Sequence, residues 1–235
     1  LFTSDHGEML GDHYLMQKNR PYQGAVHIPF LMMGPDIPDS QSIDAPVGWH
    51  DIMPTLLDLA GLPIPASVDG RSLAPLLKGQ PLETPWRCYL HGECCHNFMF
   101  DAKARPNSEK HNFVYEKGSQ FLTDGTMKYI WYVTSGREQL FNVKDDPGEK
   151  NDLSNLPQFR DELNRWRNIL VNELAGREEG FSDGTQLIRG CIPQKIDSRL
   201  KALMQKRQEE GFKLAFQHEK MPIDNMDYQN DLMSR

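Results

Sequence analysis

The chain has 235 residues, of which 26 are basic, 33 acidic and 8 histidine, giving a net charge of −7 with 38% hydrophobic residues. At roughly 150 residues per domain, this length corresponds to one domain or two. No stretch offers the roughly 18 consecutive apolar residues of a membrane-spanning helix. The basic residues are too dispersed to neutralise a phosphate backbone, so neither a membrane span nor a nucleic-acid partner is expected.

Charge is unevenly divided. Residues 1–80 carry 4 basic and 9 acidic side chains and four of the eight histidines, which suits cation binding unless a bound metal reverses the local sign. Four cysteines (Cys88, Cys94, Cys95, Cys191) are too few for a disulfide framework in a chain this long. No Asn-x-Ser/Thr acceptor occurs, which favours a bacterial periplasmic or cytoplasmic setting over a glycosylated secretory one.

In chain order, the first third reads as alternating α/β. Leu1-Phe2-Thr3 reads as the end of a buried strand, which the sequence enters without an initiator Met, and residues 26–33 form a second apolar run with Pro29 near its start. Asp51 is the expected N-cap of a helix over residues 52–60, with Pro54 in the first turn and Gly61 as the stop. Residues 72–77 predict a short helical turn. Such alternation predicts a largely parallel sheet with ligands at strand C-terminal ends. Residues 113–123, 128–134 and 138–143 are rich in aromatic and β-branched side chains and are separated by Asp124-Gly125 and Ser135-Gly136. They predict an antiparallel meander, with Tyr89-Leu90-His91 as a fourth strand. An amphipathic helix over residues 156–174 carries a stripe of Phe159, Leu163, Trp166, Leu170 and Leu174 that packs on the meander. Beyond it lie a loop at residues 180–184, a charged helix from Asp197 to about Phe216 and a polar tail from Met221.

The residues that carry chemistry open the chain. Asp5 and His6 follow the first strand, are relaxed by Gly7, and together form half of a divalent-metal site, since both donate lone pairs from a fixed strand end. The bland alternative is that Asp5 caps the next turn and His6 only hydrogen-bonds. Glu8, Asp12 and His13 are candidates to orient Lys18 or His6 from behind. His91, Cys94, Cys95 and His96 suggest zinc, but they lack two separated ligand pairs and read better as thiols beside loop histidines.

The ordered motifs resemble the type I sulfatases of the alkaline-phosphatase superfamily. That family pairs a strand ending in Asp-His-Gly or Asp-Asn-Gly with a Leu-Gly-acid-His-x-Leu-x-x-Lys loop, here Leu10-Gly11-Asp12-His13-Tyr14-Leu15-Met16-Gln17-Lys18. Pro21-Tyr22-Gln23-Gly24 and His27-Ile28-Pro29-Phe30 follow where relatives often have Tyr-Glu-Gly and Arg-x-Pro. Pro54-Thr55-Leu56-Leu57, Gly70-Arg71-Ser72-Leu73, Leu122-Thr123-Asp124-Gly125 and Asp146-Pro147-Gly148-Glu149 resemble later family segments, in the expected order over about residues 1–185.

The resemblance implies the C-terminal part of an alkaline-phosphatase-like α/β catalytic domain over residues 1–82. A smaller α+β unit, an antiparallel sheet with a packed helix, would follow over residues 83–176, and an extension over 177–235. It implies a metal-dependent sulfuric ester hydrolase acting on a sulfated carbohydrate or aryl sulfate. Asp5 and His6 would be metal ligands and Lys18 a sulfate contact that stabilises charge in the transition state. The cation implied is Ca²⁺; imidazole is an uncommon ligand for so hard an ion, so His6 either touches the nucleophile or substrate, or the metal is Mn²⁺ or Zn²⁺ as in a phosphoester-cleaving relative. Arg20, Tyr22, His27, His91 and Glu93 are the further substrate-binding candidates. The family nucleophile is formylglycine, made from Cys or Ser in a Cys/Ser-x-Pro/Ala-x-Arg segment. Cys191-Ile192-Pro193-Gln194-Lys195 is the nearest sequence, but it has Lys for Arg and lies on the wrong side of the Asp-His-Gly strand, so the nucleophile is expected upstream of residue 1 and this chain alone is expected to be inactive. A phosphonate monoester or phosphodiester hydrolase of the same superfamily is the first alternative. A non-catalytic binding or structural module is the second.

Overall fold

The computed structural model describes residues 1–35, 37–94 and 118–190, all within a unit running from Leu1 to Ile192. Cys95, His96, residues 113–117, Cys191, the charged helix from Asp197 and the tail from Met221 lie outside the described residues. The first strand, β1 (Phe2–Thr3), ends just before Asp5, and a single helical turn, α1 (Gln23–Val26), precedes β2 (Phe30–Leu31). The two strands pair antiparallel, Phe2 opposite Leu31 and Thr3 opposite Phe30. Parallel pairing of strands, expected from the alternation of elements, does not occur among the described residues, whose one parallel contact is an isolated bridge between Ala175 and Ser182. A parallel crossover needs a connecting element that covers the sheet. Here residues 4–29 contain only short helical turns, and the chain doubles back. Pro29, which lacks an N–H, limits the expected strand over 26–33 to two residues.

Helix α2 (Ile52–Leu59) ends at Gly61, whose φ of +69° suits the expected stop. Asp51 does not cap it. Its fully buried carboxylate turns back to accept the backbone N–H groups of Gly48 (2.9 Å) and Arg71 (2.9 Å) and the Arg87 guanidinium (Nη2 at 2.7 Å). The first turn is tied instead by Thr55, whose hydroxyl donates to the Asp51 carbonyl (2.5 Å) and accepts the Leu73 N–H (2.9 Å). Asp51 thus joins α2, the turn before α3 (Ala74–Leu77) and the chain entering the main sheet. Burial alone pushes its carboxyl upward, but Arg87 and the two backbone donors outweigh burial and hold it below the ordinary value of 3.8.

The main sheet has the order β3 (Leu90–Cys94), β4 (Ser119–Thr123), β5 (Met127–Tyr132), β6 (Glu138–Asn142), every pair antiparallel. This is the expected meander with its fourth strand. Both faces are covered, which explains the nearly unbroken apolar run of β5. On the outer face Leu122, Tyr129, Trp131 and Leu140 meet helix α4 (Arg160–Glu173) through Leu163, Trp166, Leu170 and, just beyond its end, Leu174. That is the predicted stripe, although its first turn is a 3-10 turn over Pro157–Phe159. Phe181, from the expected extension, joins this core with its ring 6.1 Å from that of Trp131. On the inner face Ile130, Tyr132, Phe141 and Val143 pack against Met9, Tyr22 and Ala25. Full burial of each large apolar side chain contributes about 1.5–3 kcal/mol, so this second core is what seats residues 5–25 on the sheet.

The end of β1 reaches that seat by backbone contact. Gly7 donates its N–H to the Ala25 carbonyl (2.8 Å), and a Cβ at Gly7 would lie 2.1 Å from the Gly24 carbonyl oxygen. A backbone atom cannot yield at that distance. At Gly24 the added carbon would meet Met9 Sδ at 3.4 Å, an ordinary contact.

Two outcomes are expected. Gly7→Ala should cost about 2 kcal/mol in chemical denaturation, the usual scale of overpacking, whereas Gly24→Ala should change stability by less than about 1 kcal/mol. Asp51→Asn should cost about 3 kcal/mol at pH 7, because it removes the charge of a buried carboxylate that holds the partly buried Arg87. A carboxyl with a depressed folded pKa stabilises the fold above its unfolded pKa and loses that contribution as pH falls through the folded value. The gap between parent and Asp51→Asn should therefore be full above about pH 4 and narrow on acidification below it, read from midpoints at stepped pH.

Candidate active site

A hollow of about 1440 Å³ opens between the end of β1, residues 37–50 and the edge of the main sheet. Its wall includes Asp5, His6, Lys18, Arg20 and His27. Asp5 and His6 project from the strand end that Gly7 clamps to α1. The His6 backbone N–H donates to Asp5 Oδ1 (3.0 Å), leaving Oδ2 facing the ring. His6 Nδ1 lies 2.6 Å from the Gly7 carbonyl, which can only accept, so Nδ1 carries the hydrogen and Nε2 presents a lone pair. That lone pair stands 3.4 Å from Asp5 Oδ2. Two ligands of one divalent cation sit about this far apart when each is near 2.1–2.4 Å from the ion, and a backbone acceptor on the far nitrogen is how ligand histidines are held. The pair fits two positions of a metal site. Among the described residues no cluster of three or more histidine, cysteine or acidic side chains supplies a complete one.

Lys18 and Arg20 come from a loop with strained backbone. Leu10, His13, Tyr14 and Gln17 all have positive φ, between 49° and 66°, a conformation that costs an L residue about 1 kcal/mol or more. Backbone bonds from Met9 to Gln17 (3.0 Å), from Gly11 to Leu15 (2.9 Å) and from Arg20 to Lys18 (2.8 Å) hold it, with Met9 buried as its plug. Lys18 is exposed and Arg20 half-buried, its Nη1 donating to the Asn19 carbonyl (3.1 Å). His27, exposed just after α1, faces the same hollow.

Other candidates stand elsewhere. Tyr22 is buried; its hydroxyl donates to Gln139 Oε1 (2.9 Å) and lies 3.1 Å from the Tyr132 hydroxyl, and its ring stacks on His13 at 4.0 Å. It anchors the loop from beneath rather than facing the hollow. His13 packs there too, and Glu8 and Asp12 are exposed outside the wall, so these three do not back Lys18 or His6. Phe121, Thr123 and Leu90 on the inner face of the sheet line the hollow. His91 and Glu93 belong to the rim because β3 is the edge strand, but their side chains share the outer face with α4. His91 Nε2 is 2.7 Å from Gln120 Oε1, while Glu93 accepts from Gln120 (3.2 Å) and Arg177 (3.1 Å). Strand alternation sends Cys94 to the face opposite His91, so the two cannot share a zinc ion. Cys88 is exposed.

Residues absent from the sequence expectation complete the support. Gln23 lines the hollow, and behind it Lys128 and Glu149 form a buried ion pair with Nζ and Oε1 2.9 Å apart. The available signal was a lysine alternating with Ile130 and Tyr132 on one face of an otherwise apolar strand.

Comparison with known proteins identifies the family. Residues 11–175 match the family described as N-sulphoglucosamine sulphohydrolase, C-terminal. An arylsulfatase of Clostridium perfringens is 37% identical over 81% of this chain and 36% of its own length. Arylsulfatase K of Xenopus laevis is 33% identical over 73% of this chain and 31% of its own. Among solved structures, a 2-O GAG sulfatase matches with TM-score 0.58 and 26% identity over 73% of this chain and 35% of that one. A phosphonate monoester hydrolase from Silicibacter pomeroyi matches with TM-score 0.59 and 28% identity over 73% and 33%. The chain spans about a third of the length of the relatives it matches. The chain therefore belongs to the sulfatase family, as its C-terminal part.

Proposed function

We propose that the protein carrying this chain hydrolyses a sulfate ester of a sulfated carbohydrate or an aryl alcohol, with a divalent cation and a formylglycine nucleophile that lies outside these 235 residues. The observation that carries this reading is the pair of lone pairs at Asp5 Oδ2 and His6 Nε2, 3.4 Å apart, on the same wall as Lys18 and Arg20. Asp5 and His6 hold the cation, which supplies Lewis-acid polarisation of the ester and of the nucleophile. Lys18 donates to a sulfuryl oxygen and stabilises the charge that builds as the S–O bond to the leaving alcohol breaks. Arg20 and His27 contact the rest of the anion or the leaving group. Tyr22, His91 and Glu93 support the walls.

Imidazole is a less usual ligand for Ca²⁺ than for a borderline ion such as Zn²⁺. It also keeps a second reading open, a phosphonate monoester hydrolase, which the likeness to the Silicibacter pomeroyi enzyme supports. Sulfate and phosphonate monoesters are both monoanions that present similar oxygens to Lys18, and they differ in the central atom and in the carbon substituent that takes the place of one terminal oxygen.

With the full-length protein, p-nitrophenyl sulfate should be turned over at least tenfold more efficiently than p-nitrophenyl phenylphosphonate; the reverse order would establish the second reading. Lys18→Ala should lower kcat/KM about 100-fold, and an unchanged value would indicate a non-catalytic module. Chelation should abolish turnover and Mn²⁺ or Ca²⁺ should restore it. Asp5→Asn should raise the metal concentration for half-activation by about 10-fold or more.

A further inference from the structure

The Lys128–Glu149 pair has a connection that the proposed chemistry does not use. Both side chains are essentially inaccessible, 0% and 1% exposed. Lys128 Nζ also donates to Gln23 Oε1 (3.2 Å), while Glu149 Oε2 accepts the Gln23 backbone N–H (2.6 Å). The Phe121 ring closes over Nζ with its centroid 5.3 Å away. Gln23 is therefore gripped at both its amide and its backbone by one buried pair, and it follows Lys18 by five residues and Arg20 by three.

Two costs are concentrated at this contact. A buried ion pair can commonly be replaced by apolar side chains of similar volume with no loss of stability, so burial alone does not account for it. Glu149 further adopts φ +52°, a left-handed conformation unfavourable for any residue with a Cβ. Burial pushes the Lys128 ammonium down to about 8, against the opposing pull of Glu149. What these costs secure is direction: an apolar pair could fill the space but could hold neither the amide nor the N–H of Gln23.

We propose that Lys128, Glu149 and Gln23 are positioning residues that set the loop bearing Lys18 and Arg20 against the ester. The proposal rests on the sulfatase reading above for what Lys18 does. The inner face of β5 and the turn after β6 clamp Gln23, and Gln23 fixes the C-terminal anchor of the loop. The N-terminal anchor is the contact of Gly7 with α1.

The test uses the full-length protein and two variants. Lys128→Met/Glu149→Leu exchanges the pair for apolar side chains. Gln23→Leu leaves the pair in place and removes the amide link. The double variant should keep its thermal midpoint within a few degrees of the parent, lose about tenfold in kcat on p-nitrophenyl sulfate with KM changed less than threefold, and show faster amide exchange at residues 18–22. Gln23→Leu should show the same split at about threefold, and it decides the matter if the double variant does not fold. A folded variant with parental kcat and parental exchange at residues 18–22 would overturn the proposal. Turnover by the parent tests the sulfatase reading separately. If the parent hydrolyses neither ester, that reading fails, and the exchange measurement alone supports or overturns the clamp.

Discussion

The loop between β1 and α1 has almost no regular backbone pairing of its own, and everything the site presents depends on its being pressed against one face of the four-stranded sheet. Residues 4–22 contain a single 3-10 turn and four non-glycine residues in the left-handed region. A segment of that kind does not hold its shape unaided. Met9, Tyr22 and Ala25 enter the inner-face core with Ile130, Tyr132 and Phe141, and the Tyr22 hydroxyl is fixed by Gln139 and Tyr132. The small antiparallel sheet is therefore a backing plate for the loop, and a shared core joins parts of the chain more than a hundred residues apart.

The wall of the hollow carries more acidic than basic side chains. Only four basic residues occur among the first 80, and two of them, Lys18 and Arg20, lie on the hollow's wall. Asp5, Asp39 and Asp44 share that wall. An anionic ester would meet a wall with more carboxylates than cationic side chains, and a divalent ion at Asp5 and His6 would reverse the sign where the ester must sit. The acidic, histidine-bearing composition of the first third is consistent with the proposed metal-dependent reading for this reason.

Features set by local spacing were legible in the sequence. The α4 stripe, the Asp124-Gly125 and Ser135-Gly136 turns and the stop at Gly61 all follow from rules that act within one or two turns of chain. Features set by distant partners were not. Asp51 reads as an N-cap, but Gly48, Arg71 and Arg87 bid for the same carboxylate, and charge-assisted bonds from a partly buried guanidinium outweigh one capping bond. Tyr22 sits among polar loop residues and reads as a substrate contact; its place in the core depends on Tyr132 and Gln139. The family resemblance put His91 and Glu93 among the substrate contacts, yet a period of two residues on β3 sends both to the face that carries α4. Their side chains were assigned to the hollow because a strand's facing cannot be read before its register is known.

The chemistry and its aim are thus encoded at different ranges. Three consecutive residues are enough to build the proposed metal half-site. Gly7 permits the close backbone approach, its carbonyl sets the His6 tautomer, and Asp5 stands beside the freed nitrogen. Such a unit is compact enough to be recognised as a motif. Where Lys18 points relative to that half-site is not settled locally, because the loop between them carries four left-handed residues and its backbone bonds link residues 9–20 only to one another. That choice is left to Gly7 at one end and to Tyr22 and Gln23 at the other, and the latter two answer to Gln139, Lys128 and Glu149 in the sheet. A lysine in the middle of an apolar strand is costly for the sheet alone. It becomes intelligible once the strand is seen as the surface against which the loop is set.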